Sequence, residues 1–341
     1  MVRVFGFLVV AAMVLGGCDT SMAQDPEDPF GAHDGYVLSI LAGGDMAGAI
    51  DPCGCKLPVG GLARRAGYAR GLAKRVEGRS AILSVDAGRI FDPAKPQTEA
   101  IYDAAIKNEW LLRGLGVADF AALNVAVADL KALDAWRSKD GFADRAKEFP
   151  ALERFVSANV EPASGDVVGF QPYVIQEVSP PSSTAPADRI RVGIIGLTEM
   201  PDKVLPGSRW KVSDPLAAAR KYGAELRKSC DFLVVLAYMD QDAVNRLEES
   251  IPGVDLIIVA NRTSAPKGEI DLERPATVTV EDEAKALTEV RLYPSMSAVA
   301  SRRWAIKRRT VQLGPNVPDD SDTRLMMQRA KGASRKQPVS Q

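Results

Sequence analysis

The chain has 341 residues, of which 46% are hydrophobic, 26% charged and 6% aromatic, and its formal net charge is −1. This composition supports a well-buried core and excludes a disordered chain or a bundle of membrane spans, and the near-neutral charge gives no broad attraction to nucleic acid. His33 is the single histidine. Because histidine is the commonest metal ligand and a common general base near neutral pH, a multi-histidine metal centre and a Ser-His-Asp relay are both close to excluded.

The N-terminal residues have the pattern of a lipoprotein signal. An apolar stretch over residues 4–15 follows a single arginine and is too short to span a bilayer comfortably. It runs into Leu15-Gly16-Gly17-Cys18, which resembles a bacterial lipobox, where lipid is attached to the cysteine. We predict a signal peptide over residues 1–17, a lipid anchor on Cys18 and a place on the extracytoplasmic side of a membrane in the cell envelope. An ordinary secretory signal with an incidental cysteine is the alternative.

The residues that follow the signal predict a tether. Asp19 resembles an inner-membrane retention signal, which favours the inner membrane. Residues 18–35 are rich in Asp, Pro, Gly and Ala without periodicity, the composition of a flexible linker. His33 lies in this segment and is interpreted as a solvated linker residue rather than as a ligand.

Beyond Tyr36, short aliphatic runs alternate with helical stretches. Such runs predict strands buried on both faces, and helices between them predict a largely parallel or mixed sheet. The strand candidates are residues 37–42, 81–85, 120–125, 191–197, 231–236 and 254–259, and the helix candidates are residues 62–76, 98–114, 126–139, 215–228 with Asp214 as N-cap, and 242–250.

The last third of the chain closes the predicted domain. Residues 277–280 and 287–293 indicate two antiparallel strands. After Leu313 the composition turns to Pro, Asp, Lys, Arg and Gln, which predicts a disordered tail over residues 313–341. One α/β domain is therefore expected over residues 36–312.

Glycine-rich segments near the start of this domain are the most informative part of the sequence. Gly43-Gly44-Asp45 follows the first predicted strand, and Gly60-Gly61 precedes the first predicted helix. Together with later segments in the same order, such as Val85-Asp86-Ala87-Gly88, they resemble the N-terminal domain of the 5′-nucleotidase and UDP-sugar hydrolase branch of the calcineurin-like metallophosphoesterases. The resemblance extends from residue 37 to residue 293. It implies a single α/β domain, a layered sandwich of mixed β-sheets flanked by helices.

The resemblance implies two divalent cations held by aspartates, an asparagine and several histidines. Asp45 and Asn124 are retained, and Asn261 offers at best a weak oxygen ligand. Metal affinity depends on the number and charge of the ligands, and most of them are missing here, so we expect the dinuclear centre to be absent. A residual phosphoesterase stays an alternative. The substitutions are Ala47 for a histidine, Arg89 for the bridging aspartate, Val125 for the catalytic histidine, Tyr238 for a metal-binding histidine, and Ala260-Asn261-Arg262-Thr263 for the final histidine motif.

A cysteine pair lies in the loop after the first strand. The segment Pro52-Cys53-Gly54-Cys55 followed by Gly-Gly-Leu-Ala-Arg resembles a branch of envelope proteins of unsettled role, in which selenocysteine sometimes replaces the first cysteine. Thiols near Lys56 and a helix start can have a lowered pKa and exchange disulfides, or bind a soft metal such as Cu(I). A disulfide or two inert thiols that stiffen the loop is the structural alternative. Cys230 is interpreted as a small buried hydrophobic residue.

An anion site is a further prediction for the same region. The guanidinium groups of Arg64, Arg65 and Arg89 suit phosphate or carboxylate, and Gly60-Gly61 opens a helix whose backbone donors suit the same ligands. The ligand would be phosphorylated or nucleotide-like. The alternative is that Arg64 and Arg65 form the solvated face of a helix.

Three functions are compatible with the sequence. The preferred one is a membrane-tethered, non-hydrolytic binding or scaffold protein of the envelope. The second is a thiol redox or soft-metal-handling protein that uses Cys53 and Cys55, with a redox partner in the envelope. The third is a residual metal-dependent phosphoesterase or nucleotidase.

Overall fold

The computed structural model describes residues 28–54, 56–93, 103–185, 188–199, 208–251, 253–260, 275–280, 284–295 and 304–335. Its helices are α1 (Leu62–Arg75), α2 (Ala104–Val117), α3 (Leu130–Trp136), α4 (Phe142–Glu148), α5 (Pro215–Leu226), α6 (Gln241–Ser250) and α7 (Ser321–Ser334). Its strands are β1 (Leu38–Gly43), β2 (Ala81–Asp86), β3 (Ala122–Asn124), β4 (Phe155–Val156), β5 (Val160–Pro162), β6 (Tyr173–Val178), β7 (Ile190–Thr198), β8 (Trp210–Val212), β9 (Phe232–Tyr238), β10 (Leu256–Ala260), β11 (Ala276–Thr279), β12 (Ala286–Pro294) and β13 (Trp304–Gln312).

Two mixed sheets form the centre of the molecule. One has the strand order β13-β12-β1-β2-β3-β4 and the other β11-β10-β9-β7-β6, while β5 and β8 form a separate pair. The strands β1 to β4 are parallel, as are β7, β9, β10 and β11, and the remaining strands of the two large sheets pair antiparallel. The predicted layered α/β sandwich is confirmed.

Both sheets contribute to one hydrophobic core. Ile40 and Val85 of the first sheet lie in the same buried cluster as Ile194 and Val234 of the second. The outer faces are covered by helices, for example Tyr68 of α1 on the first sheet, so central strands such as β9 are buried on both sides. This double burial explains why these strands read as continuous apolar runs in the sequence.

Helix starts follow local capping chemistry. Asp214 accepts a hydrogen bond from the backbone N–H of Leu216 and Pro215 occupies the first turn, which confirms the predicted N-cap of α5. Asp103, Asp240 and Asp320 cap α2, α6 and α7 in the same way. Side-chain acceptors therefore satisfy backbone donors at four helix N-termini.

A helix of 14 residues, α7, lies within the predicted disordered tail. In α7, Thr323, Met327, Ala330 and Ser334 are buried, and the helix packs on α2. These four residues recur at helical spacing, a stripe that the average composition of the segment conceals. The structure thus differs from the prediction for residues 313–335, and residues 336–341 lie outside the described part of the chain.

The described end of the predicted tether is packed against the first sheet. Phe30 stacks on Tyr68 with ring centroids 5.2 Å apart. His33 is half-buried, with its Nε2 2.9 Å from Ser80 Oγ, so it is not the solvated linker residue that the sequence indicated. Asp34 pairs with Lys307. The structure therefore differs from a flexible tether at residues 28–35, because distant side chains hold them, and residues 18–27 lie outside the described residues.

The two strands expected to close the domain as an antiparallel pair belong to different sheets. β11 is parallel to β10, whereas β12 is antiparallel to β1 and to β13. β13 was not predicted, because Lys307, Arg308 and Arg309 interrupt its apolar pattern. Among the described residues, no helix is both long and apolar enough to cross a membrane.

Candidate functional site

The candidate site lies where the carboxyl ends of strands from the two sheets meet. Gly44, just after β1, is closely surrounded: a Cβ atom there would lie 2.8 Å from Val280, 3.0 Å from Ala260 and 3.3 Å from Ala87. The loop after β1 therefore touches both sheets, and only glycine fits at this point. In open α/β sheets this edge is where ligands bind.

Backbone hydrogen bonds join the loop after β1 to the loop after β2 at this edge. The N–H groups of Asp45, Ala47 and Gly48 donate to the carbonyls of Gly88, Arg89 and Ile90, each at 2.8 Å. Asp45, Ala47 and Arg89 have positive φ angles of 54°, 46° and 58°. Non-glycine residues adopt this region at an energetic cost, and such strain concentrates at functional sites.

An ion pair joins the two loops. The Arg89 guanidinium donates from Nη1 to Oδ1 of Asp45. Asp45 is buried, whereas the Arg89 side chain remains 29% exposed. Asp45, which the resemblance makes a metal ligand, is thus paired with a protein cation. That cation is Arg89, the residue that stands in place of the metal-bridging aspartate.

A second ion pair lies deeper, between α1 and the end of β2. Arg65 Nη1 is 2.5 Å from Asp86 Oδ2, and the two side chains are 4% and 0% exposed. Arg65 also donates to the carbonyl of Val85 at 2.6 Å and lies over the Phe120 ring. A Cβ atom at Gly43 would lie 2.4 Å from this guanidinium, so the glycine makes room for the pair.

Asp129 organises the loop that carries Arg89, a role that the sequence analysis missed. Its fully buried carboxylate accepts backbone hydrogen bonds from Ile90 and Phe91 on one oxygen and from Arg89 and Ala126 on the other, at 2.8 to 3.0 Å. Burial raises the pKa of Asp129 to about 6, against the lowering effect of these four bonds. The one signal in the sequence is that Asp129 is an acid within an otherwise apolar stretch. That signal does not reveal its backbone donors in Arg89, Ile90 and Phe91, which lie 38 to 40 positions away.

Asn124 connects the two sheets. Its Nδ2 donates to the carbonyl of Ala87 at 3.0 Å and to that of Leu197 at 2.9 Å. Its Oδ1 is buried without a hydrogen-bond partner in the described structure, and a Cβ atom at Gly196 would lie 2.6 Å from it. Both amide hydrogens are used, and the oxygen lies against β7.

The residues of this site do not fit a dinuclear divalent-cation centre. The carboxylates of Asp45 and Asp86 are each paired with an arginine, and the amide oxygen of Asn124 lies against Gly196. Within the described ranges, no three His, Cys, Asp or Glu side chains lie together in a way that could hold a metal. Guanidinium groups at the carboxylates would repel two dications. Asn261 lies outside the described residues.

The other predicted anion-binding residues also have protein partners. Arg64 Nη1 donates to the carbonyls of Pro58 and Leu313, at 2.6 and 3.2 Å. Gly60 and Gly61 have positive φ angles of 90° and 93°, and Gly61 immediately precedes α1. Anion binding at these residues stays a prediction.

The cysteines separate into two environments. Cys53 is disulfide-bonded and half-buried. Cys230 is free and buried, packs beside Gly193 and has a thiol pKa raised by burial, which confirms its interpretation as a core residue. Cys18 and Cys55 lie outside the described residues.

No protein-family model matches the chain, and no curated protein does. Solved structures match it well. A 5′-nucleotidase precursor from Thermus thermophilus is 21% identical with a TM-score of 0.63, covering 87% of this chain and 58% of its own. The sulfate thiohydrolase SoxB from T. thermophilus is 13% identical with a TM-score of 0.66, covering 89% and 62%. The calcineurin-like phosphoesterase YfkN from Bacillus subtilis is 17% identical with a TM-score of 0.62, covering 88% and 98%.

The first two of these structures are longer than the match, and this chain spans 58% and 62% of their lengths. At these identities the comparison concerns the fold. The chain has the fold of 5′-nucleotidases and calcineurin-like phosphoesterases, and at its strand ends it carries two arginine–aspartate pairs.

Proposed function

We propose that this chain is a membrane-tethered envelope lipoprotein with a metallophosphoesterase fold that no longer hydrolyses phosphate esters and serves as a binding or scaffold component. The observation that carries the proposal is the ion pair between Arg89 and Asp45 at the junction of the two sheets. A two-metal hydrolase uses its cations to hold and polarise the ester. Here Arg89 is paired with Asp45, the carboxylate that such a metal would need as a ligand.

The backbone of Arg89 is fixed in place, which supports a defined role for its guanidinium group. Its backbone N–H donates to Asp129 and its carbonyl accepts from Ala47, so the main chain is held on both sides of the side chain. Its left-handed conformation is maintained by these contacts. An arginine on a loose surface loop would have neither constraint.

The proposed ligand is phosphorylated or nucleotide-like. The Arg89 guanidinium is partly exposed and offers the planar donor geometry that phosphate groups fit. Such a ligand would compete with Asp45 for Arg89. Nucleic acid is not proposed, since the net charge of −1 gives no broad attraction to a polyanion.

Phosphatase and nucleotidase assays with Mn²⁺, Zn²⁺ or Mg²⁺ test the non-hydrolytic role. We expect turnover of p-nitrophenyl phosphate and AMP to stay at background with each metal. Asp51, an exposed acid paired with Lys331, supplies the matched control. Robust metal-dependent turnover that Asp45→Ala abolishes and Asp51→Ala preserves would establish the residual phosphoesterase instead.

Membrane tethering is tested separately. Cys18→Ser removes the proposed lipid site, so the variant is expected in the soluble fraction while the unmodified protein sediments with membranes. Equal partition of both proteins would contradict a lipid anchor and leave the assay of hydrolysis unaffected.

A further inference from the structure

A cationic cleft lies on the outer face of the second sheet, between the ends of α5 and α6. Its volume is about 470 Å³, and the described residues that line it are Arg220, Ala224, Arg227, Lys228, Ser250 and Ile251. Gly223 lets the two elements approach each other, since a Cβ atom there would lie 3.1 Å from Ile251 Cγ2. The described lining residues include three cations and no acid, so the cleft favours an anionic group.

One of the three cations is held by the protein itself. Arg227 donates from Nη1 to Oδ2 of Asp255 at 2.6 Å and to the carbonyl of Gly253 at 3.0 Å, and from Nη2 to the carbonyl of Cys230 at 2.7 Å. It thus pairs with Asp255 and satisfies carbonyls just beyond the ends of α5 and α6, where the helix dipoles are negative. Arg227 therefore forms a fixed side of the cleft.

The other two cations keep donors for a ligand. Arg220 and Lys228 are both exposed. Within the described structure, the Arg220 guanidinium donates to the Ser250 hydroxyl at 3.2 Å, which is a neutral acceptor, and Lys228 has no ion pair. No paired carboxylate cancels either charge in this part of the chain. A guanidinium and an ammonium group that line one cleft suit the oxygens of a phosphate group.

The cleft lies at the edge of the molecule where the strands of the second sheet begin. α5 leads into β9 and α6 leads into β10, so the ends of both helices lie beside the amino ends of these strands. The Arg89–Asp45 pair lies at the opposite edge, where the strands end. The cleft is therefore separate from the candidate site.

The first described residues of the chain lie at the same edge as the cleft. Asp34 pairs with Lys307 of β13 at 2.9 Å. Trp304, at the start of β13, donates its indole N–H to the carbonyl of Asp231 at 3.4 Å, and Asp231 immediately precedes β9. The N-terminal residues of the fold and the amino ends of the second sheet are thus joined through β13.

The length of chain before the described residues limits how far this edge can lie from a membrane. Lipid attachment at Cys18, which this inference takes from the proposed function, would place the anchor ten positions before Asp28. Asp28 is held at this edge by Arg75, at the end of α1. Ten residues span at most ~35 Å when fully extended. The cleft edge of an anchored chain therefore stays close to the lipid headgroups.

We propose that the cleft binds the phosphate of an anionic phospholipid headgroup through Arg220 and Lys228, and so orients the anchored chain with this edge on the membrane. Since the net charge of the chain is −1, attraction to anionic lipid has to be local. A Lys or Arg near an anionic membrane raises affinity roughly fivefold. Two such cations orient a chain but do not hold it alone, so the unlipidated chain is still expected in the soluble fraction.

Sedimentation with phosphatidylglycerol vesicles at low ionic strength tests this proposal, with zwitterionic phosphatidylcholine vesicles for comparison. Every protein carries Cys18→Ser, so the assay does not depend on the lipid anchor, whose absence would be seen in the membrane fractionation instead. We expect Arg220→Gln combined with Lys228→Gln to weaken binding to phosphatidylglycerol about 30-fold. The matched control, Lys131→Gln combined with Arg324→Gln, removes two exposed cations from α3 and α7 and should bind like the parent.

Residues 4–15 are common to all of these proteins, so a difference between the two double variants arises at the substituted cations. Circular dichroism checks that each variant is folded. Equal binding of the cleft variant and the control to phosphatidylglycerol vesicles would overturn the proposal, as would equal binding of the parent to both kinds of vesicle. Release of the parent by millimolar inorganic phosphate at constant ionic strength would assign the cleft to free phosphate rather than to a membrane.

Discussion

Two groups of buried charges in this fold are built in different ways. On the outer face of the first sheet, the Glu289 carboxylate accepts from Arg291 at 2.6 Å, Arg309 at 2.7 Å, Tyr68 at 2.8 Å and Ser39 at 3.1 Å. At the candidate site, the arginine–aspartate pairs lie beside residues with a left-handed backbone conformation. The Nε atom of Arg65 is buried without a hydrogen bond, and the Arg89 side chain is partly exposed.

This difference in hydrogen bonding and exposure indicates that the Glu289 cluster has a structural role and that the strand-end pairs belong to a functional site. The Glu289 cluster is saturated with donors, and its arginines extend to the carbonyl of Phe30, so it holds the N-terminal residues on the sheet. The strand-end pairs have strain and unused polar atoms, features that natural folds tolerate mainly where function requires them. Five substitutions in or next to these two groups test this distinction.

The largest effect is expected for Glu289→Gln. It leaves Arg291 and Arg309 without their buried carboxylate, and removing one partner of such a network costs ~3–5 kcal/mol of unfolding free energy. Urea unfolding measures this loss. Glu177→Gln, which removes an exposed partner of Arg189, is the control and should cost less than ~1 kcal/mol. Equal losses in the two variants would mean that the Glu289 cluster is no more important than a surface pair.

Asp129 and Glu289 are expected to respond to pH with opposite signs. Burial raises the pKa of Asp129 to about 6, so the native state holds this proton more tightly and the contribution of Asp129 to stability is lost as pH rises from about 4 to about 6. This change amounts to ~3 kcal/mol. Burial also acts to raise the pKa of Glu289, but Arg309 and Arg291 lower it below its usual value, so its contribution is lost in acid.

Urea unfolding between pH 4 and pH 7 checks the sign for Asp129. Asp129→Ala removes the acceptor of four backbone donors and is expected to destabilise the protein at every pH. It should also abolish the fall in stability that the unmodified protein shows up to about pH 6. A variant that keeps the full pH dependence would assign it to another group.

A smaller effect is expected for Gly43→Ala. The added methyl group would meet the buried Arg65 guanidinium at 2.4 Å, and overpacking of this kind costs ~1–3 kcal/mol. Gly165→Ala is the control, because nothing lies within 4 Å of a Cβ atom there. Thermal unfolding compares the two, and an equal change in both variants would show that Arg65 can move aside easily.

The smallest change in stability is expected for Asp45→Asn, because the amide oxygen can still accept from Arg89 and the guanidinium, 29% exposed, can be hydrated, so the cost should be about 1 kcal/mol. Its effect on binding is larger, because the ligand no longer has to compete with a fixed carboxylate for Arg89. Calorimetric titration with AMP should show affinity higher by roughly tenfold in Asp45→Asn and lost in Arg89→Met. Unchanged affinity in both variants would place any nucleotide site elsewhere.

Much of the architecture was predictable from local patterns. The strands β1, β2, β7, β9 and β10 and the helices α1, α5 and α6 lie close to the predicted ranges, since a parallel strand covered on both faces must be apolar throughout. The Asp214 cap was predictable because its side chain accepts from a backbone N–H only two residues further along the chain, that of Leu216. β13 and α7 were missed because charged residues interrupt the apolar pattern of each element.

The sequence by itself determined the fold class, and it determined which residue types stand at the strand ends: Asp45, Arg89 and Asn124. Those properties follow from hydrophobic runs and side-chain chemistry at single positions. Only the tertiary structure decided the partners: Arg65 with Asp86, Arg89 with Asp45, and Asp129 beneath the Arg89 loop. Ser39 and Glu289 bond across 250 positions of the chain, between two neighbouring strands of the first sheet, and no local pattern encodes contacts that exist only after distant strands have paired.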